Sequence, residues 1–213
     1  MSTWPPKVRI RHASDTDIEG VRRCLAAAFG PYEASYTPGG FRDTVPTLEA
    51  LARRFREMTV LVAEDESGEI IGTIAHQVTP SGDGHLRGMA VSPQLQGSRT
   101  AEQLLYAAEG ELRALGCARV TLDTTHPLQR AIRFYQRRGY EATGRVTDFF
   151  GIALFEYAKS LRGGTVAKQR NEPEEVHVGV RERWTMDSRS GAFRLEALDA
   201  NPGRERTRLS SAP

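Results

Sequence analysis

The amino-acid sequence predicts a mixed α/β fold: a mostly antiparallel central sheet flanked by helices, followed by a polar C-terminal extension. Three observations carry this expectation. Strand-like and helix-like patterns alternate along roughly the first 160 residues, Gly-containing turns join neighbouring strands early on, and helical segments separate the later strands. Tight turns make the early part antiparallel, and a late strand–helix–strand unit implies a crossover connection.

The elements follow in order. Val8–His12 alternates with period two and reads as a short strand. Asp15 then offers an N-cap to a helix running to Phe29, with Ile18, Val21, Cys24 or Leu25, and Ala28 on one face. Gly30-Pro31 ends it, and a stretch rich in Gly, Pro and aromatic residues runs to Pro46. Thr47 caps a helix from Leu48 to Met58, whose Leu48, Leu51 and Phe55 are spaced three and four apart. Two strands, Thr59–Glu64 and Glu69–Val78, flank the turn Asp65-Glu-Ser-Gly68. A second Gly-rich turn leads to a strand from His85 to Val91, ended by Pro93. A long helix from Ser98 to Leu115 carries the stripe Leu104, Leu105, Ala108, Leu112 and Leu115, with Gly116 as its stop. A strand (Arg119–Asp123), a helix (Leu128–Arg138) ended by Gly139, and a strand pair between Tyr140 and Tyr157 complete the pattern.

The domain is expected to span residues 1–161, with 162–213 as the extension. Within the extension, 176–198 reads either as a hairpin, from the alternating Val176, Val178 and Val180 and the turn Ser188–Gly191, or as a weakly ordered tail. Asn201–Pro213 has the composition of a disordered end.

Composition narrows the function classes. Two cysteines, Cys24 and Cys117, lie far apart without metal-ligand spacing, which argues against a disulfide framework and against a metal site. The N-terminus lacks the apolar core of a signal peptide, and no run approaches the ~18 apolar residues of a membrane span. A cytoplasmic protein without membrane contact is the expectation. Residues 1–161 hold 19 cationic and 19 acidic side chains, so the formal charge of +2 lies in the remainder, 10 against 8. Nucleic-acid binders concentrate basic charge on one face, and this chain does not.

The chemistry concentrates in Arg87–Leu105, where a strand runs through a short loop into a helix. The first turn of a helix presents unpaired N–H groups and a partial positive charge, which suits a phosphate. Gly97, Ser98, Thr100 and Ala101 are small enough to let an anion reach the backbone.

Val91-Ser-Pro93, Gln96-Gly-Ser-Arg-Thr-Ala101 and the following Leu104-Leu105 resemble the signature of the GNAT superfamily, the acyl-CoA-dependent N-acetyltransferases. Ala131-Ile-Arg-Phe-Tyr135-Gln-Arg-Arg-Gly139-Tyr140 resembles the second feature of that family, and the likeness covers about residues 7–160. The resemblance implies that the backbone of Met89, Ala90 and Val91 pairs with the pantetheine arm of acetyl-CoA. It implies that the amides of Gln96, Gly97, Ser98, Arg99, Thr100 and Ala101 cradle the pyrophosphate. Tyr135 is then expected beside the thioester sulfur, giving a proton or a hydrogen bond to the departing thiolate. Two positions depart from the pattern. Arg99 replaces a central glycine, leaving either an outward guanidinium that touches a phosphate or a weakened loop. Leu128 stands where the family often has Asn, with Gln129 as a candidate substitute.

Acyl transfer to an amine needs a neutral nucleophile, yet an amine of pKa ~10.4 is neutral in only about one part in 2,500 at pH 7. A base must take the proton. His85 has a suited intrinsic pKa, with His76, His126 and Glu33 as rivals. An amide near Met89 or Ala90 is placed to meet the developing oxyanion. Proton transfer from tyrosine (pKa ~10) to a thiolate (~8.5) is uphill by only about 2 kcal/mol. The aromatic stretch with Tyr32, Tyr36 and Phe41 falls where the family closes over its acceptor. The expected activity is direct acetyl transfer from acetyl-CoA to a primary amine of a small molecule or protein, by a monomer or homodimer. A non-catalytic acyl-CoA-binding module is the alternative. A doubly wound nucleotide-binding domain is disfavoured because no G-x-G-x-x-G follows the first strand.

Overall fold

The computed structural model describes residues 8–162 and the backbone of two further strands, 182–186 and 193–197. In chain order the elements are β1 (Arg9–His12), α1 (Ile18–Phe29), α2 (Pro38–Thr44), α3 (Leu48–Glu57), β2 (Thr59–Glu64), β3 (Ile70–Val78), β4 (Gly84–Val91), α4 (Thr100–Ala114), β5 (Arg119–Thr125), α5 (Gln129–Arg137), β6 (Glu141–Phe149) and β7 (Ile152–Ser160). The seven strands form one sheet in the order β1-β2-β3-β4-β5-β7-β6. Every neighbouring pair is antiparallel except β4 and β5, which run parallel around the α4 crossover. The mixed, mostly antiparallel sheet expected from the sequence is therefore present. Beyond it, β8 (Glu182–Met186) and β9 (Phe193–Ala197) pair antiparallel in a sheet of their own. Residues 176–181, the expected start of that hairpin, and the tail 201–213 lie outside the described residues.

Strand alternation sorts the apolar side chains onto two faces. Along β2, Leu61 and Ala63 join the core with Leu104, Leu105 and Leu112 of α4, whereas Val62 joins Val21, Cys24 and Leu25 of α1 and Leu51 of α3. Both faces of the sheet are covered, which is why Ile70–Ala75 reads as a continuous buried run rather than an alternating one.

Before β2, the structure differs from the sequence expectation in two places. Asp15 is not the cap of the first helix: a 3-10 turn covers Asp15–Asp17, and α1 begins at Ile18. The Asp17 carboxylate accepts from the Ser14 amide at 2.7 Å and pairs with both terminal nitrogens of Arg11, at 2.7 and 2.9 Å. The Arg11 guanidinium holds the Asp17 carboxyl well below the usual carboxylate range. α2 lies inside the stretch that periodicity leaves without an element. It begins with Pro38 after the Thr37 cap, whose hydroxyl accepts from the Gly40 amide at 3.2 Å. Its two glycines depress helix propensity, so its existence rests on the cap and on packing.

α4 is tied to the sheet by a buried ionic cluster. Glu109 of α4 is fully buried and accepts from Lys159 Nζ at 2.8 Å and from the Tyr140 hydroxyl at 3.0 Å, with Arg113 Nη2 at 3.1 Å. Removing one partner of such a cluster strands the others without water or counter-charge. Glu109→Ala is expected to lower unfolding stability by about 3–5 kcal/mol in urea denaturation; a loss below about 1 kcal/mol would mean that Lys159 and Tyr140 find water instead.

Candidate active site

The parallel ladder between β4 and β5 consists of three pairs, Gly84↔Val120, His85↔Thr121 and Leu86↔Leu122. Beyond Leu86 the two strands separate. The cause lies on the other edge of β4, where Thr73↔Ala90 and Ala75↔Arg87 leave β4 one residue longer than β3 between the matched pairs. This bulge bends the strand and sharpens its twist. Gly88 sits inside it at φ 61, a left-handed conformation that side chains other than glycine resist. Arg87–Val91 thereby keep their β3 partners while their β5 side opens into a cleft.

The loop at the far end of β4 differs from the sequence expectation in one respect. α4 starts at Thr100, so Ser98 lies in the loop and Arg99 takes the N-cap position. The Ser98 hydroxyl accepts from the Thr100 amide at 3.3 Å and donates to the Thr100 hydroxyl at 2.9 Å. Helix geometry leaves the Ala101 and Glu102 amides without intrahelical acceptors. The left-handed residue of this loop is Gly97 (φ 96), whereas Arg99 is right-handed (φ −76), so an arginine there carries no backbone strain. Arg99 is exposed. A second guanidinium, absent from the sequence reading, stands beside it: Arg130 of α5 donates from Nη1 to Gln96 Oε1 at 2.9 Å.

Tyr135 of α5 reaches the splayed strand from the same face. It is 8% exposed, packs edge-on against Tyr140 with ring centroids 5.4 Å apart, and donates its hydroxyl to Met89 Sδ at 3.2 Å. Burial raises its pKa, so the phenol stays protonated. Leu128, the other departure from the family pattern, forms part of the cavity wall described next. Gln129 donates its side-chain amide to the His126 carbonyl at 2.8 Å and so serves the start of its own helix.

On the opposite side, a cavity of about 250 Å³ opens where β4 and β5 part, walled by Arg87 and Gly88 of β4, Asp123 and Thr125 of β5, and Tyr36 and Arg54 from the helical side. His85 also lines it, with Nδ1 3.0 Å from the Thr121 hydroxyl and Nε2 3.8 Å from Asp123 Oδ2. Burial lowers the His85 pKa, against the raising effect of Asp123. Burial likewise raises the Asp123 carboxyl, against the lowering effect of His85. Among the three aromatic candidates, Tyr36 is on the cavity wall, its hydroxyl 2.6 Å from Thr125 Oγ1. Phe41 packs on the Tyr36 ring, centroids 6.4 Å apart, and Tyr32 lies close to it.

The rival bases lie elsewhere. His76 is fully buried, with Nε2 2.9 Å from Glu111 Oε2 on α4, and Glu111 also meets His12 at 2.8 Å. Glu33 and His126 are exposed outside the cavity wall. Sequence reasoning missed Arg54, Arg87, Asp123 and Arg130. Only the local pattern of β5, whose Asp123 shares a face with Thr121 beside His85, hinted at one of them.

A split parallel strand pair, with a helix N-terminus at its end and a tyrosine beside the gap, is the arrangement that the GNAT resemblance implies. A profile of the Acetyltransferase (GNAT) family matches residues 23–140, and the chain belongs to that family. It is similar to the uncharacterised protein YdhI of Bacillus subtilis (strain 168), at 33% identity over 89 residues, which is 41% of this chain and 53% of that protein. The chain thus matches about half the length of this relative. Its fold is that of the PaiA N-acetyltransferase of Thermoplasma acidophilum in complex with coenzyme A, with TM-score 0.58, 19% identity, and 72% of this chain and 99% of the other covered. The yncA acetyltransferase of Salmonella typhimurium with acetyl-CoA gives TM-score 0.55, 20% identity, and coverage of 76% and 99%. No helix among the described residues is long and apolar enough to cross a membrane.

Arg130 adds a charge that the loop motif does not encode. Arg130→Ala is expected to weaken CoA binding about tenfold by calorimetric titration, more at low salt than at high. Unchanged affinity would show that the guanidinium serves Gln96 alone.

Proposed function

We propose that the chain transfers the acetyl group of acetyl-CoA directly to a primary amine, without a covalent enzyme intermediate. The observation that carries this reading is the meeting of two features at one gap. Tyr135 hydrogen-bonds a sulfur on the splayed part of β4, and the cavity with His85 and Asp123 ends at Gly88 on the same strand.

The residues present suit acetyl-CoA. The unpaired side of Arg87–Val91 offers a strand edge to the amide-bearing pantetheine arm, as peptides add to sheet edges. Gly97 and the first amides of α4 suit the pyrophosphate, with Arg99 and Arg130 as flanking cations. Acetyl-CoA supplies a thioester, an activated acyl group with a thiolate leaving group. His85, directly or through water, takes the proton of the attacking amine. Its lowered pKa keeps it neutral, and therefore able to accept, at physiological pH. A β4 amide near Met89 or Ala90 meets the charge that develops on the carbonyl oxygen. Tyr135 donates a hydrogen bond to the departing sulfur. Its raised pKa makes full proton transfer costlier than for an ordinary tyrosine, so stabilisation by the hydrogen bond is the larger part of its role. Tyr36, with Phe41 and Tyr32 behind it, forms the acceptor wall.

Two experiments test this. Tyr135→Phe is expected to lower kcat about 10–100-fold with CoA affinity retained; turnover at the wild-type rate would remove the phenol from the reaction. The second is the pH profile, taken with an acceptor whose amine is neutral throughout. A base whose pKa is lowered loses its proton at lower pH, so kcat/KM should rise with a midpoint below the ordinary histidine value of ~6.5 and then level off. Asp123 raises the His85 pKa, so Asp123→Asn should move that midpoint to still lower pH. A limb that does not move would exclude His85 as the base.

A further inference from the structure

The cavity holds a charge that acetyl transfer does not need. The reaction requires a proton acceptor, a donor to the carbonyl oxygen and a donor to the sulfur, and none of these is a guanidinium on the acceptor side. Arg54 of α3 nonetheless lines the cavity. Its Nη1 lies 2.8 Å from where a Cβ would stand on Gly88, so the bare backbone of the bulge makes room for it at the point where β4 and β5 part. Its hydrogen bond is a long one, 3.4 Å from Nη2 to the Asp43 carbonyl. Among the described residues no carboxylate pairs with it, because the Asp43 carboxylate is taken by Arg87. Burial, with the Arg87 charge second, brings the Arg54 pKa down to about 10. A guanidinium largely withdrawn from water, with no carboxylate in contact and only the nearby Asp43 charge to offset burial and Arg87, is an unfavourable arrangement that a bound anion would relieve. Of the two carboxylates on the cavity wall, Asp43 is held by Arg87, and Asp123 stands beside His85 on the neighbouring strands.

We infer that the acceptor is a small amine carrying its own carboxylate, an amino acid or a close analogue, with the carboxylate on Arg54 and the amine held by Asp123 and His85. This rests on the acetyl-transfer reading and narrows its substrate class. A guanidinium presents a planar fork that matches a carboxylate. The cavity volume of about 250 Å³ suits a small molecule, since pockets for drug-sized ligands run from roughly 300 to 1,000 Å³. Polyamines and aminoglycosides would bring further cations against Arg54 and Arg87, with no anion in return.

Matched acceptors decide the matter: free amino acids, their carboxamides and the corresponding decarboxylated amines, assayed with acetyl-CoA on the wild type, Arg54→Gln and Arg54→Lys. The wild type should prefer the free acid by about 100-fold in kcat/KM, as expected where a site's charged donor is otherwise left unpaired. Arg54→Gln should collapse that preference to a few-fold, and Arg54→Lys should retain part of it. Equal or faster acetylation of carboxamides, decarboxylated amines or polyamines by the wild type overturns the inference and leaves acetyl transfer standing. Acetyl-CoA binding without acetylation of any amine overturns both. Should Arg54→Gln unfold, the wild-type comparison still decides.

Discussion

The divergence of β4 from β5 organises the rest of this structure. Parallel strands ordinarily continue pairing until one of them ends, and here pairing stops after three residue pairs while both strands run on. The extra residue in β4 opposite Thr73–Ala75, with Gly88 in its left-handed conformation, supplies the bend. A sheet that opens in its middle has backbone donors and acceptors facing a gap rather than a neighbouring strand. Those groups need partners. They also connect the two faces of the sheet, which elsewhere are sealed by α1 and α3 on one side and α4 on the other.

The two faces have different chemical characters at the gap. On the α4 and α5 side, the polar groups are amides and guanidinium groups at the end of a helix, together with a phenol kept protonated by its surroundings. On the α1 and α3 side, the walls carry a histidine, two carboxylates and two arginines at close quarters. Desolvation acts on all of them in a consistent sense: it disfavours the charged forms of His85, Asp123 and Arg54 alike. Their protonation equilibria thereby move towards the neutral forms, which is the property the proposed reading uses.

Much of the scaffold was legible in the sequence because its causes are local. β2 matches its expected span of Thr59–Glu64, since alternation and the Asp65–Gly68 turn determine it within a few residues. The apolar stripe of α4 was legible from Leu104 to Leu112, but Leu115, expected on it, lies past the helix end and is exposed. The helix begins at Thr100, with Ser98 and Thr100 bonded to each other within the loop. α2 escaped because Gly39 and Gly40 dilute its pattern. Among site residues, Tyr135 was visible through its motif and His85 through its intrinsic pKa and its place on β4. Arg54 and Arg130 were not visible, and Asp123 only through its place on β5, because their significance arises from the bulge and the crossover bringing distant segments to one cleft. A charged residue on a helix reads as solvated surface until the packing around it is known.

The contact between Tyr135 and Met89 has a bearing on how the gap is kept ready. A thioether is a feeble acceptor, and methionine is an unbranched side chain that turns about three bonds at small cost. The phenol is thus held pointing at the cleft by a bond worth little. On the proposed role of Tyr135, an incoming sulfur takes over as acceptor without breaking a strong interaction, and the displaced methionine swings aside. The aromatic ring itself stays clamped by its T-shaped neighbours, Phe134 and Tyr140. In the proposed reaction Met89 is a placeholder, aiming the hydroxyl before there is anything for it to serve.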